Sequence, residues 1–411
     1  MKLSEELVWR NLIKDRTFND LAWLDEPKTF YLGVDCVSAP SMTIGNLAVF
    51  LVARRLMEYG WRPVLLVGGA TSLVGDPGGK TEERDLKSRD EVAQNVESIK
   101  SQVNRLFSGK QFELVDNYDW LKDLSYLDFL REVGKHYSMT ELLQRDYIAS
   151  RIGEGGSGIS YAEFSYSLLQ GYDFWYLYKN KQVALQIGGS DQWGNMLSGV
   201  PLIRKKEDGE AHAFSVPLMI DKTTGKKFGK SEAGAIWLDE SMTSVFRFYQ
   251  FWLNADDAGA IDYLKVYTML QPEEIMDIQQ EFSQNPGNRL AQKKLAEAVT
   301  EIVHGKDKAA AVKKATETLF GNLSFGDLGN SEYELLRQEL PLVTVNSQNL
   351  QQLLVAGQLA GSTSEANRLI AGGAVAVNGQ RVMDSKAILP LKQGSNIVKC
   401  GKNRFMIAEV K

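Results

Sequence analysis

Four short apolar runs alternate with helical patterns through the first half of the chain. They are TFYLGVD (Thr29 to Asp35), RPVLLVGG (Arg62 to Gly69), KQFELVD (Lys110 to Asp116) and VALQIGG (Val183 to Gly189). Each is short, rich in branched and aromatic side chains and closed by Gly or Asp, as buried strands are. Ile44 to Tyr59 fits a helix between the first two runs. Arg89 to Phe107 fits another between the next two, with Asp90 favouring its first turn. Strand–helix alternation predicts an α/β body with a parallel sheet and right-handed crossovers. Ligands of such sheets bind at the carboxyl ends of the strands, which is where the closing Gly and Asp residues fall.

The remainder reads differently. From about Leu238 to Phe320 the pattern is helical, carried by FRFYQFWLN and the Ala/Lys/Glu-rich run from Arg289 to Leu319. Gly and Asn cluster from Gly321 to Asn330, and the polar NSQN spans Asn346 to Asn349. The last residues combine two helical patterns, Gln351 to Ala356 and Ser364 to Ala371, with AVAVNGQRV, where Asn378–Gly379 signals a β-hairpin. The expected division is 1–235, 236–325, a linker at 326–345 and a small α+β domain at 346–411. From Val345 onward eight basic residues face three acidic ones, a net +5 in a chain whose total is −5. A basic appendage on an acidic body points to a phosphate-bearing partner at that end.

Several classes are excluded or disfavoured. No apolar run approaches the ~18 residues that span a bilayer, and MKLSEELVWRNLIKDR lacks the apolar stretch of a secretory signal. Two cysteines, Cys36 and Cys400, make neither a disulfide framework nor a zinc site. A cytoplasmic protein with no membrane partner, no DNA partner and no protein-ligated metal is expected. GDPGGK (Gly75 to Lys80) has the wrong spacing for a phosphate-binding P-loop and lacks its final Ser or Thr.

Chemistry concentrates in a few strings. Tyr166, Gln170 and Asp173 are spaced four and three apart, on one helix face. A buried face of hydroxyl, amide and carboxylate needs polar partners, so it suits an ammonium and a hydroxyl ligand; a solvent-facing stripe is the plain alternative. Asp76 follows Gly75, with Gly68 and Gly69 upstream, either a turn or a close backbone approach to ligand. GGSDQWGN (Gly188 to Asn195) and KKFGKS (Lys226 to Ser231) suggest a small polar ligand and a polyphosphate neutralised by point-charge lysines.

With these strings in view, the chain resembles the bacterial and organellar tyrosyl-tRNA synthetases, class I aminoacyl-tRNA synthetases, over nearly its whole length. YLGVD, VGGATSLVGDPGGK, EFSYSLLQGYDF, LQIGGSDQWGN and KFGKS carry the likeness, in family order. SEANRLIAGGAVAVNG (Ser364 to Gly379) resembles a small RNA-binding domain shared with some ribosomal proteins and pseudouridine synthases. The resemblance implies a Rossmann-like catalytic domain, an α-helical anticodon-binding domain and the small RNA-binding domain. It implies that Tyr31 and Asp173 bind the phenol hydroxyl, and that Asp76, Tyr166 and Gln170 hold the α-ammonium. Asp35, Gly189, Asp191 and Gln192 would meet the ribose or adenylate. Lys227 and Lys230 would stabilise pyrophosphate, with Lys80 and Arg84 assisting. Arg368 and Arg381 fall to RNA binding. Substrates would be L-tyrosine, ATP with Mg²⁺ and tRNA(Tyr), and the assembly a homodimer. A tryptophan-specific sister enzyme and a non-catalytic RNA-binding protein on a synthetase-like body are the alternatives.

The chain departs from the family at one signature. The usual His-Ile-Gly-His reads Thr43-Ile44-Gly45-Asn46, and DCVSAPSM replaces the customary approach with one extra residue. Ser38 then stands for a phosphate-contacting threonine. Thr43 and Asn46 retain hydrogen-bonding groups for ATP, Gly45 leaves room for adenine, and the helix N-terminus attracts the anion. Cys36 stands where proline is expected and reads as a passive small residue.

Overall fold

The computed structural model describes the chain except residues 38, 77–86, 232–233, 322, 346–348 and 387–388 and the side chains of 146, 147, 230 and 231. The chain divides into two compact units, Met1–Met242 with Ala255–Leu295, and Thr243–Asn254 with Ala296–Lys411.

The first unit is built on β1 (Thr29–Val34), β2 (Arg62–Val67), β3 (Glu113–Asp116), β4 (Val183–Gly189) and β5 (His212–Val216). All pair in parallel, in the order β3-β2-β1-β4-β5. The four apolar runs therefore become strands, although KQFELVD contributes only its last four residues. β5 was not anticipated, because His and Ser interrupt its short apolar pattern. The chain grows outward from β1 to β3 and then returns past β1 to lay down β4 and β5. That reversal opens a crevice at the carboxyl ends of β1 and β4.

Helices cover the sheet where the sequence places them. Ile44–Glu58 buries Leu47, Phe50, Leu51 and Leu56. Arg89–Leu106 starts at Ser88, whose hydroxyl accepts from the Glu91 N–H. Tyr161–Lys181 starts the same way at Ser160 and Glu163. Glu163 also receives Arg151 in a buried two-point ion pair, Nη1–Oε1 2.6 Å and Nη2–Oε2 3.0 Å. Glu6 makes a second buried cluster with Arg10 at 2.6 Å, Arg55 at 3.4 Å and the Tyr59 hydroxyl at 2.6 Å.

The second unit contains helices Val245–Leu253, Lys306–Phe320 and Asn330–Arg337 and a five-stranded sheet. A further two-residue pair, β6 (Lys230–Ser231) with β7 (Gly234–Ala235), belongs to the first unit. The larger sheet uses β8 (Leu342–Thr344), β9 (Val375–Val377), β10 (Gln380–Val382), β11 (Gly394–Cys400) and β12 (Arg404–Val410), ordered β10-β9-β11-β12-β8. β8 lies in the stretch read as linker and pairs in parallel with β12. Asn378 and Gly379 both take positive φ, 48° and 82°, as a two-residue hairpin turn requires. Helices Leu350–Ala356 and Thr363–Ala371 bury Leu353, Leu354 and Ile370 against Val377, Val398 and Met406.

Candidate active site

A cavity of about 360 Å³ opens at the crevice beside β1 and β4. Tyr31, Asp35, Thr43, Gly45, Asn46, Asp76, Tyr166, Gln170, Asp173, Gly189, Asp191, Gln192 and Lys227 all line it. Residues spread over nearly two hundred positions thus converge on one space. Lys230 lies in β6, its backbone paired with Ala235. Ser38, Lys80 and Arg84 lie outside the described residues. Arg368 and Arg381 belong to the second unit, exposed on the Thr363–Ala371 helix and on β10.

At the deep end Asp173 is buried and accepts from Asn117 Nδ2 at 2.9 Å and Trp120 Nε1 at 2.8 Å. Burial disfavours its charge more than these donors favour it, and its carboxyl is pushed up to about 7. Tyr31, on β1, lines the same cavity, its hydroxyl enclosed and without a hydrogen-bond partner among the described residues. Burial, then the neighbouring Asp173, holds the Tyr31 hydroxyl protonated far above the ordinary tyrosine range. A neutral donor and a carboxylate therefore face the same pocket end. Asn117 also donates to Thr71 Oγ1 at 3.0 Å, and Thr71 meets the Tyr166 hydroxyl.

The middle of the cavity is a prepared carboxylate. Asp76 accepts from Gln192 Nε2 at 2.6 Å and Asn195 Nδ2 at 3.1 Å, and Asn195 Nδ2 also reaches Gln192 Oε1 at 3.1 Å. Asp35, just past β1, accepts from Ser72 Oγ at 2.8 Å and the Val37 N–H at 3.0 Å. Asn117, Trp120, Thr71, Ser72 and Asn195 were missed from sequence, since each acts through a contact far along the chain. Asn117 directly follows β3, so the carboxyl-end rule is the one signal that marks it.

The open end holds the altered signature. Thr43 caps the Ile44–Glu58 helix, and Asn46 Oδ1 accepts from the Thr43 N–H at 2.9 Å and its hydroxyl at 3.1 Å. This reciprocal cap leaves the Asn46 amino group as the remaining donor of that side chain. The lysine loop is stitched to the same helix start: Ile44 N–H donates to Ile236 O at 3.2 Å, and Ile236 N–H to Gly229 O at 3.1 Å. Gly229 has φ +86°, and a Cβ there would meet Ile44 Cγ1 at 2.5 Å, so only glycine fits. Lys227 Nζ pairs with Asp191 at 3.1 Å. Cys36 is fully buried, and burial pushes its thiol up, out of the reactive range.

Comparison with known proteins gives the chain a family. Residues 24–321 match the family described as tRNA synthetases class I (W and Y). Residues 332–408 match the tyrosine--tRNA ligase SYY-like C-terminal domain. The chain is 42% identical over 424 aligned positions to tyrosine--tRNA ligase 1 of Enterococcus faecalis, covering 100% of both chains. It is 42% identical to tyrosine--tRNA ligase of Bacillus caldotenax, covering 99% of both. A C-terminally truncated mitochondrial tyrosyl-tRNA synthetase of Aspergillus nidulans superposes with a TM-score of 0.70 at 33% identity, covering 78% of this chain and 94% of that one.

Proposed function

We propose that this chain, which belongs to the class I tRNA synthetases of the W and Y family, joins L-tyrosine to tRNA(Tyr) through a tyrosyl-adenylate. The tyrosine carboxylate attacks the α-phosphorus of ATP, forming the mixed anhydride and expelling pyrophosphate. A terminal ribose hydroxyl of the tRNA then attacks the carbonyl, and AMP leaves. No side-chain nucleophile is needed; positioning and cations supply the catalysis.

The observation that carries this reading is the buried pair of Tyr31 and Asp173, a donor and a carboxylate facing one end of the cavity. An apolar ring leaves the Tyr31 hydroxyl without a partner and offers the buried Asp173 carboxyl no donor beyond Asn117 and Trp120, so the pocket selects a hydroxyl, a discrimination for which tyrosine-specific synthetases are themselves the standard example. The same pair disfavours an indole, and with it the tryptophan-specific alternative. Asp76, Tyr166 and Gln170 hold the α-ammonium; Asp35, Gly189, Asp191 and Gln192 meet the adenylate. Gly45 and Asn46 take adenine and ribose at the capped helix start, with Thr43 and Ser38 beside the phosphates. Lys227 and Lys230 receive the pyrophosphate that Mg²⁺ accompanies, with Lys80 and Arg84 completing the cluster.

Tyrosine-dependent ATP–pyrophosphate exchange tests the reading. Its absence in folded protein that still binds tRNA would leave the non-catalytic RNA-binding alternative in its place.

The helical stretch 236–325 serves the anticodon, and 346–411, with Arg368 and Arg381, grips the tRNA elsewhere. A homodimer is supported by Tyr126, Leu127, Leu130, Met139, Leu143, Ile152 and Tyr161, all exposed on a short span of the first unit, with Leu127 75% exposed. Among the described residues no helix is long and apolar enough to cross a membrane, and the cytoplasm, where tRNA is charged, is the proposed location.

A further inference from the structure

We propose that Gln102, on the helix Arg89–Leu106, is a positioning residue for the nucleotide, acting through the backbone of Pro40–Met42 that leads into the altered signature. The proposal rests on the nucleotide reading of that end of the cavity and adds what holds it in place.

The approach to the signature is unusual in this chain. DCVSAPSM carries one residue more than the customary run, and Thr43 and Asn46 stand in the signature that follows. Each added residue brings backbone freedom that must be removed before neighbouring groups have a fixed place. Ala39, Ser41, Met42 and Thr43 all line the cavity, so freedom left in this run is freedom at the nucleotide. Gln102 removes it. The residue is 2% exposed. Its Nε2 donates to Pro40 O at 2.9 Å, and its Oε1 accepts from the Met42 N–H at 3.0 Å and the Ser41 hydroxyl at 3.2 Å. Three bonds thus fall on three consecutive residues, across 60 to 62 positions of sequence. Asn95, on the same face of the helix, donates to Cys36 O at 2.8 Å.

The hold passes on to the lysine loop. Met42 O accepts from the Leu238 N–H at 2.9 Å, Ser41 Oγ accepts from the Asp239 N–H at 3.1 Å, and Thr43 pairs antiparallel with Trp237. With Ile44 N–H on Ile236 O at 3.2 Å, residues 41–44 and 236–239 pair as a short antiparallel ladder. Arg105, on the same helix as Gln102, adds an ion pair with Asp239 at 4.0 Å. A buried amide that only needed satisfying could draw its partners from any neighbour. Among the described residues, every side-chain bond of Gln102 falls on the run between β1 and the signature. One amide therefore moors the approach, and the approach carries the segment that closes the lysine loop.

The test is Gln102→Met, which keeps length and approximate volume while removing all three bonds. Urea stability is measured, together with kcat and the KM values for ATP and for tyrosine in ATP–pyrophosphate exchange. Stability falls, because the Met42 N–H and Pro40 O lose a buried partner. In the folded variant kcat/KM for ATP falls about ten- to a hundredfold, the effect of a small misplacement of reacting groups, while KM for tyrosine is unchanged. A purely structural amide would lower stability and leave both KM values and kcat alone. Parental ATP parameters in folded Gln102→Met therefore overturn the proposal. So does a loss shared equally by ATP and tyrosine, which marks a general loosening of the fold. Should Gln102→Met fail to fold, Gln102→Asn decides: it keeps the amide one carbon short of its partners, and the same ATP-side loss is expected in smaller measure. Parental ATP parameters in Gln102→Asn then overturn the proposal. Absence of tyrosine-dependent exchange in the parent removes the functional reading itself, whereas normal exchange with ATP parameters indifferent to residue 102 removes the mooring alone.

Discussion

Replacing Asp173 by Asn changes a charge without changing a shape, and the structure gives the consequence a sign and a size. The carboxyl rises from 3.8 to about 7 through burial, a difference of about 3 pH units, or about 4 kcal/mol at full ionisation. The folded protein keeps this proton to higher pH than the unfolded chain does. Between about pH 4 and pH 7 the native state therefore binds more protons, and its stability falls as pH rises through that window. Asn carries no charge at any pH, but its NH₂ confronts either Asn117 Nδ2 or Trp120 Nε1, both donors. One donor is left unpaired, at about 1–3 kcal/mol. Asp173→Asn should thus be less stable than the parent at pH 5. From pH 5 to pH 8 the parent should lose about 3 kcal/mol relative to it, closing or reversing the gap. Urea unfolding followed by tryptophan fluorescence across that range measures the difference, and Trp120 reports on the site itself. Two stability profiles that run parallel from pH 5 to pH 8 would refute a carboxyl destabilised by burial.

Lys227→Ala removes a half-exposed ion pair with Asp191, worth at most about 1 kcal/mol, so thermal stability should hardly move. Pyrophosphate exchange should slow by about 10²-fold with tyrosine KM unchanged, and a matching loss of tyrosine affinity would contradict a role confined to phosphate. Glu163→Gln strands the buried Arg151 guanidinium and should cost about 3–5 kcal/mol in urea stability. The double variant Arg151→Met with Glu163→Met should cost much less than the single one, and equal losses would show that charge burial is not the cause. Arg368→Ala with Arg381→Ala should raise the tRNA KM in charging and leave pyrophosphate exchange alone; exchange that falls with charging would argue against an RNA-contact role.

The parallel sheet was legible because β1, β2 and β4 are short, mostly apolar runs, closed by Gly or Asp and alternating with helical patterns. The hairpin at Asn378–Gly379 was legible from two residues that tolerate positive φ. β8, β11 and β12 were not, since VT, NIVKC and FMIA are too short or too mixed to declare a period, and their pairing is fixed by partners far along the chain. The site divides the same way. Tyr166, Gln170 and Asp173 share a helix face, so their spacing reveals them. Asn117 and Trp120 reach Asp173 across 56 and 53 positions, and no local pattern records that meeting. Gln186, which lines the cavity, was hidden inside the mostly apolar run that identified β4, as one polar letter in VALQIGG. The Thr43–Asn46 cap shows a further limit. The sequence offered both side chains to the nucleotide, while the fold spends the Thr43 hydroxyl on Asn46.

Tyr31 and Asp35 stand four residues apart, one within β1 and the other just beyond its end. At about 3.3 Å per residue they are separated by about 13 Å of extended backbone, and β1 is clamped on both sides by β2 and β4. The strand therefore acts as a gauge block. It sets the distance between the group proposed to recognise the ring and the group proposed to meet the nucleotide, and no side-chain rotation can lengthen it. Retargeting such a pocket to a longer amino acid by point substitution at either end leaves that interval untouched. Inserting a residue between them does not simply stretch it, because a one-residue slip turns one of the two side chains to the opposite face of the sheet. Variation in the size of the substrate has to be absorbed at right angles to β1, in the width offered by Gln186 on β4 and Leu66 on β2, both of which line the cavity, and that is where an altered specificity has room to arise.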